Sequence, residues 1–554
     1  MKLSGAQAII KVLLEQGVDT VFGYPGGQVI PLYNALYDAP LRNVLTAHEQ
    51  GAIHAADGYA RASGRTGVCI ATSGPGATNI VTGLATAYLD SVPLVAITGQ
   101  VSVANLGRDS FQEIDIVGVT LPITKYNILV RKPEDLLPAL RQAFYLAQEG
   151  RPGPVLVDVP SNLQVGDVEW MEAEPLTPPV METAREEILE AAAVTITNAR
   201  QPVFLVGGGA VHSGAAEEVL RFARKTGMPV VNTLMGIGVF PGSDRQCLGL
   251  TGMHGHIAAN MAVANADVLI VAGSRFSERV TGDRNRYVGK KTIIQLDIDP
   301  SEVDKNVMTA LPLVGDMKEN LNKLSERVKK LDIEHWWHTI KAWDATENRA
   351  AQSGERLTAP WLMKELTRSF KGEDTVFVTD VGQNQMWAAL HLEVDAPRHH
   401  LTSGGCGTMG FGLPAAMGAK FGAPDRTVCF FTGDGGMQMT IQELGTIMQE
   451  KLNVKIIILN NNFLGMVRQW QELFFHERYS NTIMKNPDFV AIAKAYGIAG
   501  RAVEKREELD DAIAEMLNHD GAYVLVANVE TCGMVYPMVP AGGSVTNMIM
   551  GDEK

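Results

Sequence analysis

The chain has 554 residues, of which 46% are hydrophobic and 20% are charged, and its formal net charge is −14. This composition is typical of a globular protein of about three or four domains, and the negative charge argues against nucleic acid as a partner. No apolar run of ~18 residues occurs, so no membrane segment is expected, and five scattered cysteines favour a reducing, cytoplasmic environment.

Residues 1–165 alternate between helix and strand patterns, which predicts a first α/β domain with a parallel sheet. Strands are expected at 43–47, 67–72, 94–98 and 155–159. His48, Glu49 and Gln50 open a predicted helix directly after the first of these strands. On its own, Glu49 would be an ordinary acidic residue in the first turn of a helix, where the helix dipole stabilises it.

A Pro- and Glu-rich stretch at 161–188 indicates a linker, and a second α/β domain is predicted at 189–340. Strand patterns occur there at 203–206, 229–232, 268–271 and 292–298. Gly207, Gly208 and Gly209 follow the first of these strands and open a helix, which is a phosphate-binding pattern. The full GxGxxG pattern is missing, so this domain either binds a nucleotide or has the shape of such a domain and binds nothing.

A third α/β domain is predicted at 360–554. Its most informative stretch predicts, in order, a strand, a helix and a strand at 427–432, 437–452 and 454–459. Asp434 follows the first strand and Asn461 follows the second, so neighbouring parallel strands would place both at one sheet edge, where α/β proteins bind ligands. A carboxylate and an amide oxygen suit Mg²⁺, and the glycines around Asp434 suit a diphosphate.

These polar residues also have ordinary interpretations. Asp434 alone could be a turn residue, and 460–462 could be an Asn-rich loop. Residues 405–410 formally match GxGxxG, but the preceding HHLTSG is a poor strand and no acidic residue follows at the right distance. A dinucleotide site at that loop is therefore rejected.

The sequence GDG at 433–435, followed after 24 residues by NN, resembles the cation- and diphosphate-binding motif of thiamine-diphosphate enzymes. The segments YPGG, HEQGA, SGPGATN, FQE and RPGPVLVDVP together are similar to the catalytic subunit of the acetohydroxyacid (acetolactate) synthase family. The resemblance covers essentially the full chain. It implies three α/β domains, each with a central parallel sheet flanked by helices, of which two are related to each other.

The resemblance also implies roles for individual residues. Glu49 would hydrogen-bond the aminopyrimidine ring of thiamine diphosphate and promote removal of the C2 proton. The residues implied to act around the substrates are Phe111, Gln112, Arg279, Met466 and Trp470. Arg279 would bind the carboxylate of the second keto acid, and Trp470 would favour 2-ketobutyrate over pyruvate through an apolar wall.

Three ligand-binding sets follow from the same resemblance. The Mg²⁺ ligands would be Asp434, Asn461 and the backbone carbonyl of Phe463. The thiamine-diphosphate set is Val381, Gly382, Gln383, Gly407, Met409, Gly433, Gly435 and Gly436, with Met409 wedged under the cofactor. The FAD set is Arg151, Gly207, Gly208, Thr233, Leu234, His254, Gly273, Arg275, Asp297 and Asp316. The sequence departs from the family pattern at Ser161, Asn162, Ser277, Glu278, Asp297, Asn384 and Gly436.

The implied activity decarboxylates pyruvate and transfers the two-carbon unit to pyruvate or 2-ketobutyrate, in branched-chain amino acid biosynthesis. Because the reaction is not a redox reaction, the implied FAD would be structural. Glu49 and Asp434 lie on different domains, and the resemblance implies an obligate homodimer or a tetramer, with a regulatory small subunit as a candidate partner. Two alternatives stay open: another thiamine-diphosphate carboligase or decarboxylase, including a catabolic FAD-independent acetolactate synthase, and a non-catalytic nucleotide-binding protein.

Overall fold

Three six-stranded parallel sheets organise the chain in this computed structural model, which describes residues 1–179, 181–347 and 357–551. Helices flank each sheet, so the predicted α/β fold class is confirmed. A small two-stranded sheet pairs Lys2–Ser4 antiparallel with Asp167–Glu169, which ties the first part of the predicted linker to the first domain. Within the described ranges, no helix is both long and apolar enough to cross a membrane.

The first sheet is built from residues of the N-terminal third of the chain. In spatial order its strands are Arg42–Leu45, Thr20–Gly23, Gly67–Ala71, Leu94–Gln100, Pro154–Pro160 and Tyr126–Leu129. Its α-helices are Gly5–Glu15, Ile30–Tyr37, Glu49–Ser63, Pro75–Asn79, Val81–Asp90, Ile116–Thr120, Leu136–Gln148 and Ser161–Val165. The strand Tyr126–Leu129 escapes the sequence pattern because it is a half-buried edge strand without a continuous apolar run.

The third sheet repeats the strand order of the first. Its strands, in spatial order, are His400–Leu401, Thr375–Thr379, Thr427–Gly433, Val454–Asn460, Tyr523–Asn528 and Ala499–Val503. Its α-helices are Ala359–Ser369, Gln383–His391, Gly412–Gly422, Asp434–Met439, Leu444–Gln449, Gly465–Phe474, Phe489–Ala495 and Leu509–Asn518. Numbered along the chain, both sheets have the order 2-1-3-4-6-5, as expected for two related domains. Residues 552–554 of the predicted third domain lie outside the described residues.

The central sheet has a different order, 3-2-1-4-5-6. Its strands are Cys247–Leu250, Val230–Asn232, Pro202–Val206, Val268–Ala272, Thr292–Asp297 and Leu311–Val314. Its α-helices are Glu186–Thr197, Gly208–His212, Ala216–Thr226, Ile257–Asn265, Glu278–Thr281, Arg284–Val288, Met317–Arg327 and Glu334–Glu347. This is the order of dinucleotide-binding domains, in which the ligand lies across the carboxyl ends of the strands.

The predicted helix at 437–452 is wrong as a single helix. The structure has a helix at Asp434–Met439 and a second one at Leu444–Gln449, separated by a short 3₁₀ turn. The break is at Thr440, whose hydroxyl donates to the Gly410 carbonyl 3.0 Å away. This tertiary hydrogen bond outweighs the apolar spacing, while the flanking strands pair in parallel as predicted.

Two helices join the first and third domains. The helix Glu49–Ser63 packs closely along Gly412–Gly422, and alanines from both helices belong to one shared core. Glycine is required at Gly58 and Gly418, since a side chain at either position would collide with the backbone of the facing helix. This close packing sets where Glu49, at the first turn of its helix, stands relative to the third domain.

His54 lies in this helix interface, and its burial there is expected to make the stability of the protein sensitive to acid. It is fully buried, its ring stands edge-on to Phe411 at 5.5 Å, and neither ring nitrogen has a hydrogen-bond partner. Burial, with a smaller contribution from Arg61, lowers the pKa of His54 to about 3. The unfolded chain therefore takes up a proton near pH 6.5 that the folded chain does not, so stability is lost as the pH falls below 6.5.

We expect His54→Leu to remove this loss. Between pH 7 and pH 5 the free energy of unfolding should fall by about 2 kcal/mol less in the variant than in the wild type. Urea denaturation of both proteins at the two pH values measures the difference. Parallel decreases in the two proteins would show that His54 does not carry the acid sensitivity.

Candidate active site

Asp434 is held at the carboxyl edge of the third sheet by three donors. Its Oδ1 accepts from the backbone N–H of Gly435 at 2.9 Å, and its Oδ2 accepts from the N–H of Asn462 at 2.8 Å. The Asn486 side-chain amide also donates to Oδ2, at 2.6 Å. Burial raises the pKa of Asp434, and these hydrogen bonds oppose that change by stabilising the carboxylate.

Asn461 is buried on the neighbouring strand end. Its Oδ1 accepts from the N–H of Phe463 at 3.0 Å, and its amide nitrogen lies 3.5 Å from Gln383 Oε1. The following Asn462 has φ near +60°, which turns the backbone back toward Asp434. The two residues predicted as cation ligands are thus brought to one turn, connected through Asn462.

The donor set at this turn suits a hard cation better than a transition metal. Among the described residues, no cluster of three or more His, Cys, Asp or Glu side chains could hold a metal ion. One carboxylate, one amide oxygen and a backbone carbonyl are oxygen donors of the type that Mg²⁺ accepts together with phosphate oxygens. The residues present therefore fit a Mg²⁺–diphosphate complex.

Asn486 is a site residue that sequence reasoning missed. Its amide nitrogen lies 2.6 Å from Asp434 Oδ2, 2.7 Å from Asn460 Oδ1 and 3.3 Å from Asn462 Oδ1. Its own Oδ1 accepts from Gln438 at 3.0 Å. It stands far from the GDG motif along the chain, and only its position beside Pro487 distinguishes it in the sequence. Its contacts clamp the two strand-end loops together.

Several predicted thiamine-diphosphate residues surround this turn. A Cβ atom on Gly382 or on Gly433 would lie 3.7 Å from the amide nitrogen of Asn384. A Cβ on Gly435 would lie 2.7 Å from the Leu464 side chain and 3.6 Å from the terminal methyl of Met409, and one on Gly436 would lie 2.7 Å from Asp380 Oδ1. The absence of a Cβ at these strand ends gives a phosphate room to approach the backbone.

A cavity of about 900 Å³ lies where the three domains meet, and Asp90, Ser91 and Arg151 of the first domain line part of it. It is of the size that binds a large organic ligand. Fifteen of the predicted site residues line it: Arg151, Gly208, Thr233, Leu234, His254, Gly273, Arg275, Arg279, Asp297, Asp316, Val381, Gly382, Gly407, Met466 and Trp470. Gly207 stands just behind the wall, packed on Gly273. The remaining members of the metal and diphosphate sets lie at the sheet edge next to Val381 and Gly382.

The central-domain part of this cavity collects residues from the carboxyl ends of its strands. Arg151 reaches in from the first domain and pairs with Glu302 at 2.7 Å and with the Ser91 hydroxyl at 2.8 Å. Burial lowers the pKa of Arg275 and raises that of Asp297 to about 6. Charged groups of both signs are therefore held here in a partly dehydrated setting, as a bound dinucleotide needs.

Two predicted FAD residues differ in what they leave available to a ligand. Asp316 is the N-cap of the helix Met317–Arg327 and accepts from the N–H of Glu319 at 3.0 Å. His254 is buried, which lowers its pKa to about 4, and its Nδ1 has no hydrogen-bond partner. The orphaned nitrogen of His254 is available to a ligand, whereas the carboxylate of Asp316 already serves its own helix.

Arg279 and Trp470 meet at the other end of the cavity. The guanidinium carbon of Arg279 lies 5.9 Å from the centroid of the Trp470 ring, and its side chain remains about 60% exposed. Met466 lines the cavity one turn before Trp470 on the helix Gly465–Phe474. A planar cation beside an apolar wall suits a small molecule with a carboxylate and a short alkyl group.

Glu49, Phe111 and Gln112 do not line this cavity. The carboxylate of Glu49 accepts from the Asn79 amide at 3.0 Å and faces Gly76. Phe111 is 84% exposed, and Gln112 adopts φ near +61° against Gly74. These three residues lie at the carboxyl edge of the first sheet. None of them lines the cavity.

Glu443 is a second residue that the sequence did not reveal. It is buried at the 3₁₀ turn between the two short helices of the third domain. Its Oε2 accepts from the N–H of Ala47 at 3.1 Å and from the Thr446 hydroxyl at 2.8 Å. It therefore anchors the segment leading into Glu49 on the third domain, a contact between residues 396 positions apart.

Comparison with known proteins agrees with this geometry. Three family descriptions of thiamine pyrophosphate enzymes match in order: the N-terminal TPP binding domain at 3–119, the central domain at 189–324 and the C-terminal TPP binding domain at 380–527. The fold is thus that of a thiamine-diphosphate enzyme.

Full-length relatives define the family more narrowly. The chain is 45% identical to the acetolactate synthase isozyme 2 large subunit of Escherichia coli, with 99% of both chains covered. It is 46% identical to the Corynebacterium glutamicum acetolactate synthase large subunit, over 98% of this chain and 89% of that protein. It is 44% identical to a probable large subunit of Methanocaldococcus jannaschii, over 99% and 95%. The chain belongs to the acetolactate synthase large-subunit family.

Proposed function

We propose that the chain catalyses the acetolactate synthase reaction. Pyruvate loses CO₂, and its two-carbon unit is transferred to a second pyruvate or to 2-ketobutyrate, giving 2-acetolactate or 2-aceto-2-hydroxybutyrate for branched-chain amino acid biosynthesis. The observation that carries the proposal is the cavity in which Arg279 stands over Trp470 and which continues to Val381, Gly382 and Gly407 at the diphosphate edge. That arrangement provides a keto-acid carboxylate site next to a cofactor site.

Thiamine diphosphate, when bound, supplies a nucleophilic carbon and accepts the electron pair that decarboxylation releases. Asp434, Asn461 and the Phe463 carbonyl would hold Mg²⁺ against the diphosphate. Glu49 would hold a proton on the aminopyrimidine ring, and its half-buried position beside Asn79 orients the carboxylate for that contact. Arg279 would orient the second keto acid by its carboxylate.

We also propose that the central domain binds FAD in a structural role. The 3-2-1-4-5-6 strand order supports it, as do Gly208, Arg275 and the free Nδ1 of His254 on one cavity wall. An absorbance spectrum of the purified protein after incubation with FAD and removal of free ligand tests this. Acetolactate formation without any retained flavin would favour a catabolic, FAD-independent type of enzyme.

The complete active site is proposed to need a second copy of the chain. Glu49 and the Phe111–Gln112 pair lie outside the cavity of their own chain, and large apolar side chains stay exposed near both half-sites. These include Phe111 at 84%, Leu121 at 69% and Phe475 at 58%. Since relatives are named large subunits, a small regulatory subunit is a further proposed partner. All five cysteines, each within the described residues, are free thiols, which supports a cytoplasmic location.

The direct test uses pure protein with pyruvate, thiamine diphosphate, Mg²⁺ and FAD. Acetolactate should form, and added 2-ketobutyrate should compete with pyruvate as the acceptor. Acetaldehyde, the product of decarboxylation alone, or a carboligation product other than acetolactate would indicate a different thiamine-diphosphate enzyme. Bound thiamine diphosphate without any product from pyruvate would indicate a non-catalytic protein.

Trp470→Leu is expected to weaken the preference for 2-ketobutyrate over pyruvate about tenfold, because one methylene against an apolar wall contributes ~1–3 kcal/mol. The ratio of the two products at equal acceptor concentrations measures this. Phe474→Leu is the matched control, because Phe474 packs against Trp470 with their ring centroids 5.3 Å apart but does not line the cavity. An unchanged product ratio in Trp470→Leu would remove Trp470 from acceptor selection.

A further inference from the structure

Residues 101–115 form a loop with its own internal hydrogen bonds, here called the Phe111 loop. The Glu113 carboxylate accepts from the N–H of Gly107 and, at 3.2 Å, from that of Ser110. These hydrogen bonds lower the pKa of Glu113, with that from Gly107 contributing most. The Ser110 hydroxyl donates to the Asn105 carbonyl at 2.8 Å. The loop that carries Phe111 and Gln112 is therefore preformed, and its placement depends on its connections to the sheet.

One of these connections runs through Gln100 at the end of the preceding strand. The Gln100 amide nitrogen donates both of its hydrogens, one to the Ile114 carbonyl at 2.9 Å and one to Asp158 Oδ2 at 2.9 Å. Gln100 Oε1 accepts from the N–H of Val101 at 2.9 Å. Every hydrogen-bonding position of this buried amide is thus used, and one of them holds the far end of the Phe111 loop.

Asp158 fixes the orientation of that amide. It is 1% exposed, and its Oδ1 accepts from the Thr98 hydroxyl at 2.7 Å. In the described part of the chain no cation pairs with it, and burial raises its pKa to about 7. A carboxylate held in the core without a cation is destabilising, so packing alone does not explain why an acid stands at this position.

We propose that Asp158 is a positioning residue which, through Gln100, sets the place of the Phe111 loop and therefore of Phe111 and Gln112 over the reacting groups. The inference rests on the proposed function. The two carboxyl oxygens of Asp158 face the Thr98 hydroxyl and the Gln100 amide nitrogen, so Gln100 presents one N–H to Asp158 and its second N–H to the Ile114 carbonyl. A second tether, from the N–H of Val103 to Asn162 Oδ1 at 2.9 Å, holds the opposite end of the loop.

The test compares Asp158→Leu with a double variant that exchanges the two groups, Asp158→Asn with Gln100→Glu. In Asp158→Leu the Gln100 amide nitrogen and the Thr98 hydroxyl both lose their acceptor, so the Gln100 amide is released. We expect kcat to fall about 10- to 100-fold, because a displacement of about 1 Å at an active site can cost that much. The concentration of thiamine diphosphate for half-activation should stay within about twofold of the wild-type value.

The double variant separates positioning from stability. It restores a carboxylate–amide pair between positions 100 and 158, but a glutamate at 100 has no N–H for the Ile114 carbonyl. We expect the melting temperature to recover and kcat to stay low. Recovery of kcat together with melting temperature would overturn the proposal, because the pair would then serve the core alone. Thr98→Val is the control: it removes the other partner of Asp158 and should change kcat less than about threefold.

A second readout does not depend on the proposed reaction. Arg108 is exposed and is the sole Lys or Arg in residues 101–115, so trypsin cleavage after it reports on release of the loop. Cleavage of the protein without substrate should be about tenfold faster in Asp158→Leu and in the double variant than in the wild type. Wild-type cleavage rates in both variants would overturn the tether even if acetolactate is formed. Faster cleavage in a protein that makes no acetolactate would keep the tether and reject the proposed function.

Discussion

Glu49→Gln is expected to lower kcat for acetolactate formation by about 100- to 1,000-fold, while folding and cofactor binding stay close to wild type. Proton transfer by a positioned carboxylate contributes about 10²–10⁴-fold to a rate, and glutamine has the same shape without the charge. The glutamine oxygen still accepts from the Asn79 amide, as Glu49 does at 3.0 Å, so the local structure should persist.

The measurement is kcat together with the exchange rate of the cofactor C2 proton in deuterated buffer. Both should fall in parallel in Glu49→Gln. The matched control is Glu169→Gln, the same change at an exposed strand position of the first domain, which should leave both rates unaltered. Undiminished acetolactate output from Glu49→Gln would remove Glu49 from the mechanism.

Asp434→Asn is expected to weaken binding of Mg²⁺–thiamine diphosphate by about 100-fold or more. The asparagine loses the negative charge that faces the cation, and its amide nitrogen would face either the N–H of Gly435 or the donors of Asn462 and Asn486. Leaving a buried donor without its acceptor costs about 1–3 kcal/mol, more where charge is involved, and 1.4 kcal/mol is a factor of ten in affinity.

Calorimetric titration of thiamine diphosphate at saturating Mg²⁺ measures this loss directly. Asp425→Asn, at an exposed position just before the strand Thr427–Gly433, is the control and should bind normally. If Asp434→Asn bound the cofactor with wild-type affinity, the cation site would have to lie elsewhere in the chain.

Mixing these two inactive variants tests whether one site is shared between chains. Suppose that each active site combines Glu49 of one chain with Asp434 of the other. Half of the dimers in an equal mixture then contain one chain of each variant, and one of the two sites in such a dimer has both wild-type residues. About a quarter of the sites should then be active after subunit exchange. Continued inactivity of the mixture, with subunit exchange shown by a mass label, would place both residues in a site within one chain.

The parallel sheets and the glycine-rich turns at their strand ends could be predicted from the sequence, because they depend on local patterns. Continuous apolar runs mark strands that are buried on both faces, and glycines mark turns where the backbone must approach a ligand. The pairing of Thr427–Gly433 with Val454–Asn460 could be predicted, since a βαβ unit leaves little topological choice. The edge strands Tyr126–Leu129 and Leu311–Val314 could not, because each has only four residues and is interrupted, by Asn127 in the first and by Pro312 in the second.

Other features depend on contacts between residues distant in the chain. Asn486 reaches Asp434 across 52 positions, and Gln100 reaches Asp158 across 58, so no local pattern reveals either contact. The helix break at Thr440 likewise depends on a hydrogen bond to Gly410. The domain limits at 1–165, 189–340 and 360–554, and the roles of individual site residues, stay predictions.

For this protein, the alternation of helices and strands, the motif residues and the family resemblance were determined by the sequence itself, since each rests on residue types at short, regular spacing. Tertiary structure alone decided that Arg279 and Trp470 share a cavity with Val381 and Gly382, while Glu49 stands apart from it. The physical reason is that a cavity forms where domains pack, and packing is set by surfaces assembled from the whole chain.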